Sequence, residues 1–127
     1  MVDRKPLVGT ELDEERFTCG DCHYLARALH LLTGWPIVAF QDSWGRPDVH
    51  AMVKMPNGKL LDIYGPQSVR TARRHWCHFR RARGRPIKEF SWSIFREEGW
   101  NSPSYGEYTY RRAKIIAQRL LREIGYA

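Results

Sequence analysis

Thr18-Cys19-Gly20-Asp21-Cys22-His23-Tyr24-Leu25-Ala26-Arg27-Ala28-Leu29 is the stretch from which the rest of the chain is read. A turn of small residues ends in an aspartate, and a cysteine opens a run with apolar positions at Cys22, Leu25, Ala26, Leu29 and Leu32. That i, i+3, i+4, i+7 spacing predicts a helix with one buried face. Asp21 stands where an N-cap belongs, and Gly34 with Pro36 beyond it supplies the stop. Cys22 therefore falls on the first helical turn, where unpaired N–H groups and the helix dipole favour a negative sulfur. His23, its neighbour, is expected to face solvent.

Downstream, residues 36–40 form a short apolar run with β-branched members and read as a strand; Gly45 and Pro47 mark residues 42–48 as a loop. Two more strands are expected over 49–55 and 59–64, joined by Pro56-Asn57-Gly58. A two-residue Asn-Gly loop would ask residue 56 for a backbone donor that proline lacks. A three-residue loop suits these residues: Pro56 sets the first turn angle and Gly58 takes the left-handed bulge position. Met55 then faces Lys59, Met52 faces Asp62 and His50 faces Tyr64, so His50 and Asp62 become diagonal neighbours on one side of the hairpin.

Past Gly65-Pro66, Ser68 is placed to cap a helix with apolar positions Val69, Ala72, Trp76 and Phe79, and Arg83-Gly84-Arg85-Pro86 ends it. Residues 87–92 alternate like a strand, 93–98 fit a short helix equally well, and 101–106 read as loop. A last helix is expected over 107–123, with Tyr110, Ala113, Ala117, Leu120 and Leu121 towards the core. Residues 1–17, with the charged run Asp13-Glu14-Glu15-Arg16, read as a solvated lead-in.

The length of 127 residues fits one domain, and 43% apolar content with five tryptophans excludes a disordered chain. No apolar run approaches the roughly 18 residues of a membrane span. Three cysteines, an odd number, and a start without an apolar stretch that directs secretion lead to the expectation of a reducing, cytoplasmic setting. The net charge of +7 is lopsided: residues 1–64 hold seven Lys/Arg against nine Asp/Glu, residues 65–127 fourteen against five. Such a basic half is either a solvated helix face or a contact surface for an acidic partner.

The reactive form of cysteine is the thiolate. His50 is placed to take the Cys22 proton, and Asp62 to orient the imidazole and stabilise its charged form. Attack on a carbonyl then gives a thioester, with the Cys22 N–H as one oxyanion donor and Thr18 as an upstream side-chain candidate. Gly20-Asp21-Cys22 opening a helix, His50 opening a strand and Leu61-Asp62-Ile63 on the next strand resemble the papain-like superfamily. The nearest branches in kind are the transglutaminase-like and arylamine-acetyltransferase-like thiol enzymes, whose Cys, His and Asp fall in this order. The resemblance spans residues 18–66, with 67–127 a basic, helical C-terminal half. It implies an α+β fold with the cysteine helix packed on a small antiparallel sheet. It also implies acyl transfer through Cys22 as nucleophile, His50 as base and Asp62 as orienter, acting as amide hydrolase, deamidase or transglutaminase on a protein or peptide, without metal or cofactor.

Two other readings stand beside it. Cys19 and Cys22 have the spacing of a zinc knuckle, and His75, Cys77 and His78 offer further ligands. A Cys19–Cys22 redox couple lacks the preceding strand of thioredoxin-like motifs. Arg70, Arg73, Arg74, Arg80, Arg81, Arg83 and Arg85 suit a basic module on nucleic acid, zinc-stabilised or not, or the steering of an acidic substrate. An interaction protein that keeps the fold without activity is the third.

Overall fold

A computed structural model describes residues 5–18, 21–40, 50–76, 87–89 and 103–126. The loop expected over 42–48, the segment 90–102, and Cys19, Cys77, His78, Phe79, Arg80, Arg81, Arg83 and Arg85 lie outside them. Among the described residues the fold is mixed α+β, with four helices and one five-stranded antiparallel sheet. No helix among them is long and apolar enough to cross a membrane.

Two helices lead. α1 (Glu11–Thr18) corrects the expected solvated lead-in, because Asp13 and Phe17 are buried in it. Its start is a reciprocal cap: the Asp13 N–H donates to Thr10 Oγ1 at 3.3 Å and the Thr10 N–H to Asp13 Oδ2 at 2.8 Å. Arg112 then closes a two-pronged pair on Asp13, with Nε to Oδ1 at 2.8 Å and Nη2 to Oδ2 at 2.7 Å. α2 (Cys22–Thr33) begins and ends where the spacing predicts, and Gly34 closes it in the left-handed region at φ 77° with its N–H on His30 O at 2.7 Å. Two details differ. The Asp21 side chain makes no cap bond, the turn closing through backbone from Tyr24 N–H to Asp21 O at 3.0 Å. Leu32 is 45% exposed, whereas Tyr24 and Ala28 are buried. The buried face is rotated and widened because a sheet and two other helices surround this helix.

The sheet order is β4-β3-β2-β1-β5, with β1 (Ile37–Phe40), β2 (Ala51–Lys54), β3 (Leu60–Asp62), β4 (Gly65–Gln67) and β5 (Ile87–Glu89). Val53 pairs with Leu61 and Lys54 with Leu60, the register of a three-residue loop. The Met55 N–H donates to Lys59 O at 2.8 Å, the Gly58 N–H to Met55 O at 2.9 Å, and Gly58 sits at φ 86°. Nothing lies within 4 Å of a Cβ built there, so Gly58→Ala costs only the left-handed backbone, about 1–2 kcal/mol, read as a lower urea midpoint with the strand pairing unchanged. β4 occupies residues where sequence marks a break. Pro66 carries no N–H and is tolerated because β4 is the edge strand.

The sheet is covered on both faces. Ile37, Ala51, Val53, Leu61 and Ile63 pack with α2 and with α4 (Pro103–Glu123), through Leu25, Leu29, Ala113, Ile116, Ala117 and Leu120. Val38, Phe40, Met52 and Leu60 pack with Ala72 of α3 (Val69–Trp76). Ser68 caps α3 as expected, accepting the Thr71 N–H at 3.1 Å. α4 starts four residues earlier than expected, taking up part of the presumed 101–106 loop. Pro103 suits a first helical position, where no N–H is needed.

Candidate active site

The N-terminal ends of α2 and β2 meet. Period-two alternation and the hairpin register carry His50 to the start of β2 and Asp62 to the end of β3, diagonal to one another. His50 Nε2 lies 2.9 Å from Asp62 Oδ2, with the two side chains 0% and 2% exposed. The second oxygen, Asp62 Oδ1, accepts the Tyr64 N–H at 2.9 Å, so both oxygens of the carboxylate are held. The Tyr64 hydroxyl in turn donates to Glu14 Oε2 at 2.7 Å, and the Leu7 N–H to Ile63 O at 2.8 Å. The N-terminal segment and α1 thus strap the turn that carries Asp62.

Cys22, 5% exposed, meets this pair from the first turn of α2. Its sulfur accepts the Ala51 N–H at 3.4 Å and lies near enough to His50 for their charges to interact. With Nε2 committed to Asp62, Nδ1 is the His50 nitrogen left for the thiol. A strand N–H aimed at a sulfur atom is informative, since a thiolate is a far better acceptor than a thiol.

The electrostatics follow from these contacts. Burial pushes the Cys22 thiol up, but the His50 charge, hydrogen bonds from His23 and His50, and the Ala51 N–H outweigh it and bring it down to about 6. Burial pushes His50 down, but the Cys22 charge, the Asp62 hydrogen bond, the bond to Cys22 and the Asp62 charge bring it up to about 9. Both shifts favour the thiolate–imidazolium form, and the two groups titrate as one unit. Beside them the Asp21 carboxyl is pushed up by burial, against the opposing pull of His23 and Arg16.

The structure therefore brings Cys22, His50 and Asp62 together, and places other predicted residues elsewhere. Thr18 is not an oxyanion donor: its hydroxyl proton goes to Glu14 O at 2.7 Å inside α1. His23 is not solvent-facing but 2% exposed, with its ring 4.4 Å from that of Tyr24. The buried Tyr24 and Ala28 beside the expected stripe were the available signal, because they widen the apolar arc of α2 past His23. Of the zinc set, Cys22 has its sulfur on the Ala51 N–H, and His75 sits against Tyr64 at 5.7 Å between ring centroids. Among the described residues no group of three or more His, Cys, Asp or Glu side chains is arranged to hold a metal ion. On α3, Arg70 and Arg74 are exposed, while the Arg73 guanidinium lies 5.2 Å from the Phe40 ring centroid.

The local chemistry of this site stands without a relative to lend it a role: no protein-family model matches the chain, and neither does a curated protein or a solved structure.

Proposed function

We propose that this protein is a thiol-dependent acyl-transfer enzyme of papain-like architecture, acting as amide hydrolase, deamidase or transglutaminase on a protein or peptide. One observation carries the reading: a buried His50–Asp62 pair at 2.9 Å delivered to a cysteine on the first turn of a helix. An ordinary core cysteine has no use for a buried carboxylate–imidazole pair, whose burial costs free energy that apolar packing would not.

In the proposed cycle the Cys22 thiolate attacks the carbonyl carbon and the carbonyl electron pair moves onto oxygen. Collapse re-forms the C=O, breaks the bond to the leaving amine and transfers the His50 proton to that amine, leaving a thioester on Cys22. Water or a second amine, deprotonated by His50, then resolves the thioester. Asp62 keeps Nε2 engaged throughout, so that Nδ1 stays aimed at the sulfur. The basic C-terminal half, with Arg70 and Arg74 exposed, suits an acidic polypeptide as substrate.

The test is chemical and needs no known substrate. Iodoacetamide should label Cys22 with a rate that rises through about pH 6 and stays level above it. Acylation by p-nitrophenyl acetate should give a hydroxylamine-sensitive adduct on Cys22. With an amide substrate, which needs the His50 proton, the rate should also fall through about pH 9. A Cys22 that reacts as slowly as a free thiol, with a limb near pH 8.5, and forms no thioester would end the enzyme reading.

A further inference from the structure

We propose that Glu14 of α1, acting through Tyr64, is a positioning residue that sets the aim of the Asp62 carboxylate at His50. The inference rests on the acyl-transfer reading, and adds to its three residues a fourth, on a separate helix, that acts only through others.

The turn between β3 and β4 is poorly provided for by its own residues. Asp62 pairs with Gly65, which leaves Ile63 and Tyr64 as the loop. Two-residue turns that match strand twist need a positive φ at their first position, and neither residue has one. A β-branched and an aromatic side chain favour strands over turns. Local support comes from Asp62 itself, whose Oδ1 accepts the Tyr64 N–H two residues on, at 2.9 Å, as in an Asx turn. The other oxygen of the same carboxylate lies 2.9 Å from His50 Nε2. The shape of the turn and the aim of the carboxylate are therefore tied to one another.

The N-terminal segment supplies what the turn lacks, at three consecutive residues. The Leu7 N–H donates to Ile63 O at 2.8 Å, and the Tyr64 hydroxyl donates to Glu14 Oε2 at 2.7 Å. Gly65, at φ 95°, lies against the Leu7 side chain, where a Cβ would stand 3.0 Å from Leu7 Cδ2. Of these contacts the Glu14 bond is the strong one, because its acceptor is a carboxylate. It also falls on the residue whose N–H Asp62 holds. On its other side the Tyr64 ring rests against His75 of α3, 5.7 Å between centroids. If Tyr64 tilts away from α1, its N–H moves, and Asp62 must follow it or give up one of its two bonds. α1 is a firm support for this purpose: Thr10 caps it, and Asp13 clamps it to Arg112 of α4.

The experiment uses the full-length chain and three variants. Tyr64→Phe keeps the ring and every backbone bond of the turn but removes the hydroxyl. Glu14→Ala removes the acceptor, and Glu14→Gln retains an oxygen in its place. Tyr64→Phe and Glu14→Ala should each slow acylation by p-nitrophenyl acetate about tenfold, and the double variant no more than either alone. Glu14→Gln should stay within about threefold of wild type. The readout that a merely structural bond would not move is the acid limb of Cys22 alkylation by iodoacetamide. It should rise from about pH 6 in the first two variants and stay in place in Glu14→Gln. Should Glu14→Ala fail to fold, Tyr64→Phe carries the test. A lower urea midpoint with an unmoved limb in Tyr64→Phe, or losses that add in the double variant, overturns the positioning role and leaves the acyl-transfer reading standing. A wild-type limb near pH 8.5 with no acyl adduct overturns that reading, and the positioning role with it.

Discussion

If Cys22 is the acyl-transfer nucleophile proposed above, replacing Asp62 with alanine should lower its acylation by on the order of 10³–10⁴-fold, and should destabilise the protein by about 3–5 kcal/mol. Both effects come from one vacancy. Asp62 Oδ2 holds His50 Nε2 and Oδ1 holds the Tyr64 N–H, with the carboxylate 2% and the imidazole 0% exposed. Without the carboxylate a buried imidazolium loses its counter-charge and two donors lose their acceptor. His50 loses the Asp62 hydrogen bond and charge that help to raise it, so its charged form is less favoured and the Cys22 thiol is lowered less. Asp62→Asn is the informative companion. Its single carbonyl oxygen satisfies one of the two donors and presents an NH₂ group to the other, so it should recover part of the stability and little of the rate. The measurements are urea midpoints and p-nitrophenyl acetate bursts; an alanine variant within tenfold of wild type would remove Asp62 from the mechanism.

The second large effect lies far from the sulfur. Asp13→Ala should cost about 2–3 kcal/mol at pH 7, because it strands the Arg112 guanidinium and takes the cap from α1. The cost should be pH-dependent with a definite sign. The Arg112 hydrogen bonds, outweighing burial and aided by Thr10, hold the Asp13 carboxyl well below the usual carboxylate range. A carboxyl lowered on folding contributes stability that is complete above its unfolded value, near pH 4, and is lost as pH falls towards its folded value. The urea midpoints of wild type and variant should therefore converge as pH is lowered from about 4 to 2. A constant gap across that range would assign the loss to packing rather than to the ion pair. Since α1 also holds Tyr64 through Glu14, the same variant should loosen the turn that carries Asp62.

These two aspartates were unequally legible. Asp62 was readable because its position depends on a short-range rule. Proline at 56 forbids the two-residue turn, the three-residue turn sets the register, and the register puts residue 62 diagonal to residue 50. Asp13 was misread because its partner lies 99 residues away, and four charged residues in a row look like a solvated face when no partner is in view. The local signal, Thr10-Glu11-Leu12-Asp13 with the spacing of a capping box, marked a helix start but not the burial of its aspartate. Leu32 and His23 show the same limit on α2. Periodicity fixes which residues share a face, and only the arrangement of sheet, α1 and α4 around the helix decides how wide an arc is covered.

By itself, the sequence determined the first-turn placement of Cys22, the stop at Gly34, the cap at Ser68 and the hairpin register, because each rests on backbone geometry within a few residues. Only the tertiary structure decided that the Cys22 sulfur meets His50 and the Ala51 N–H, that His23 is enclosed beside them, and that Asp13 is clamped by Arg112. Those outcomes depend on how separate elements pack, and burial and charge pairing at such distances have no local signature.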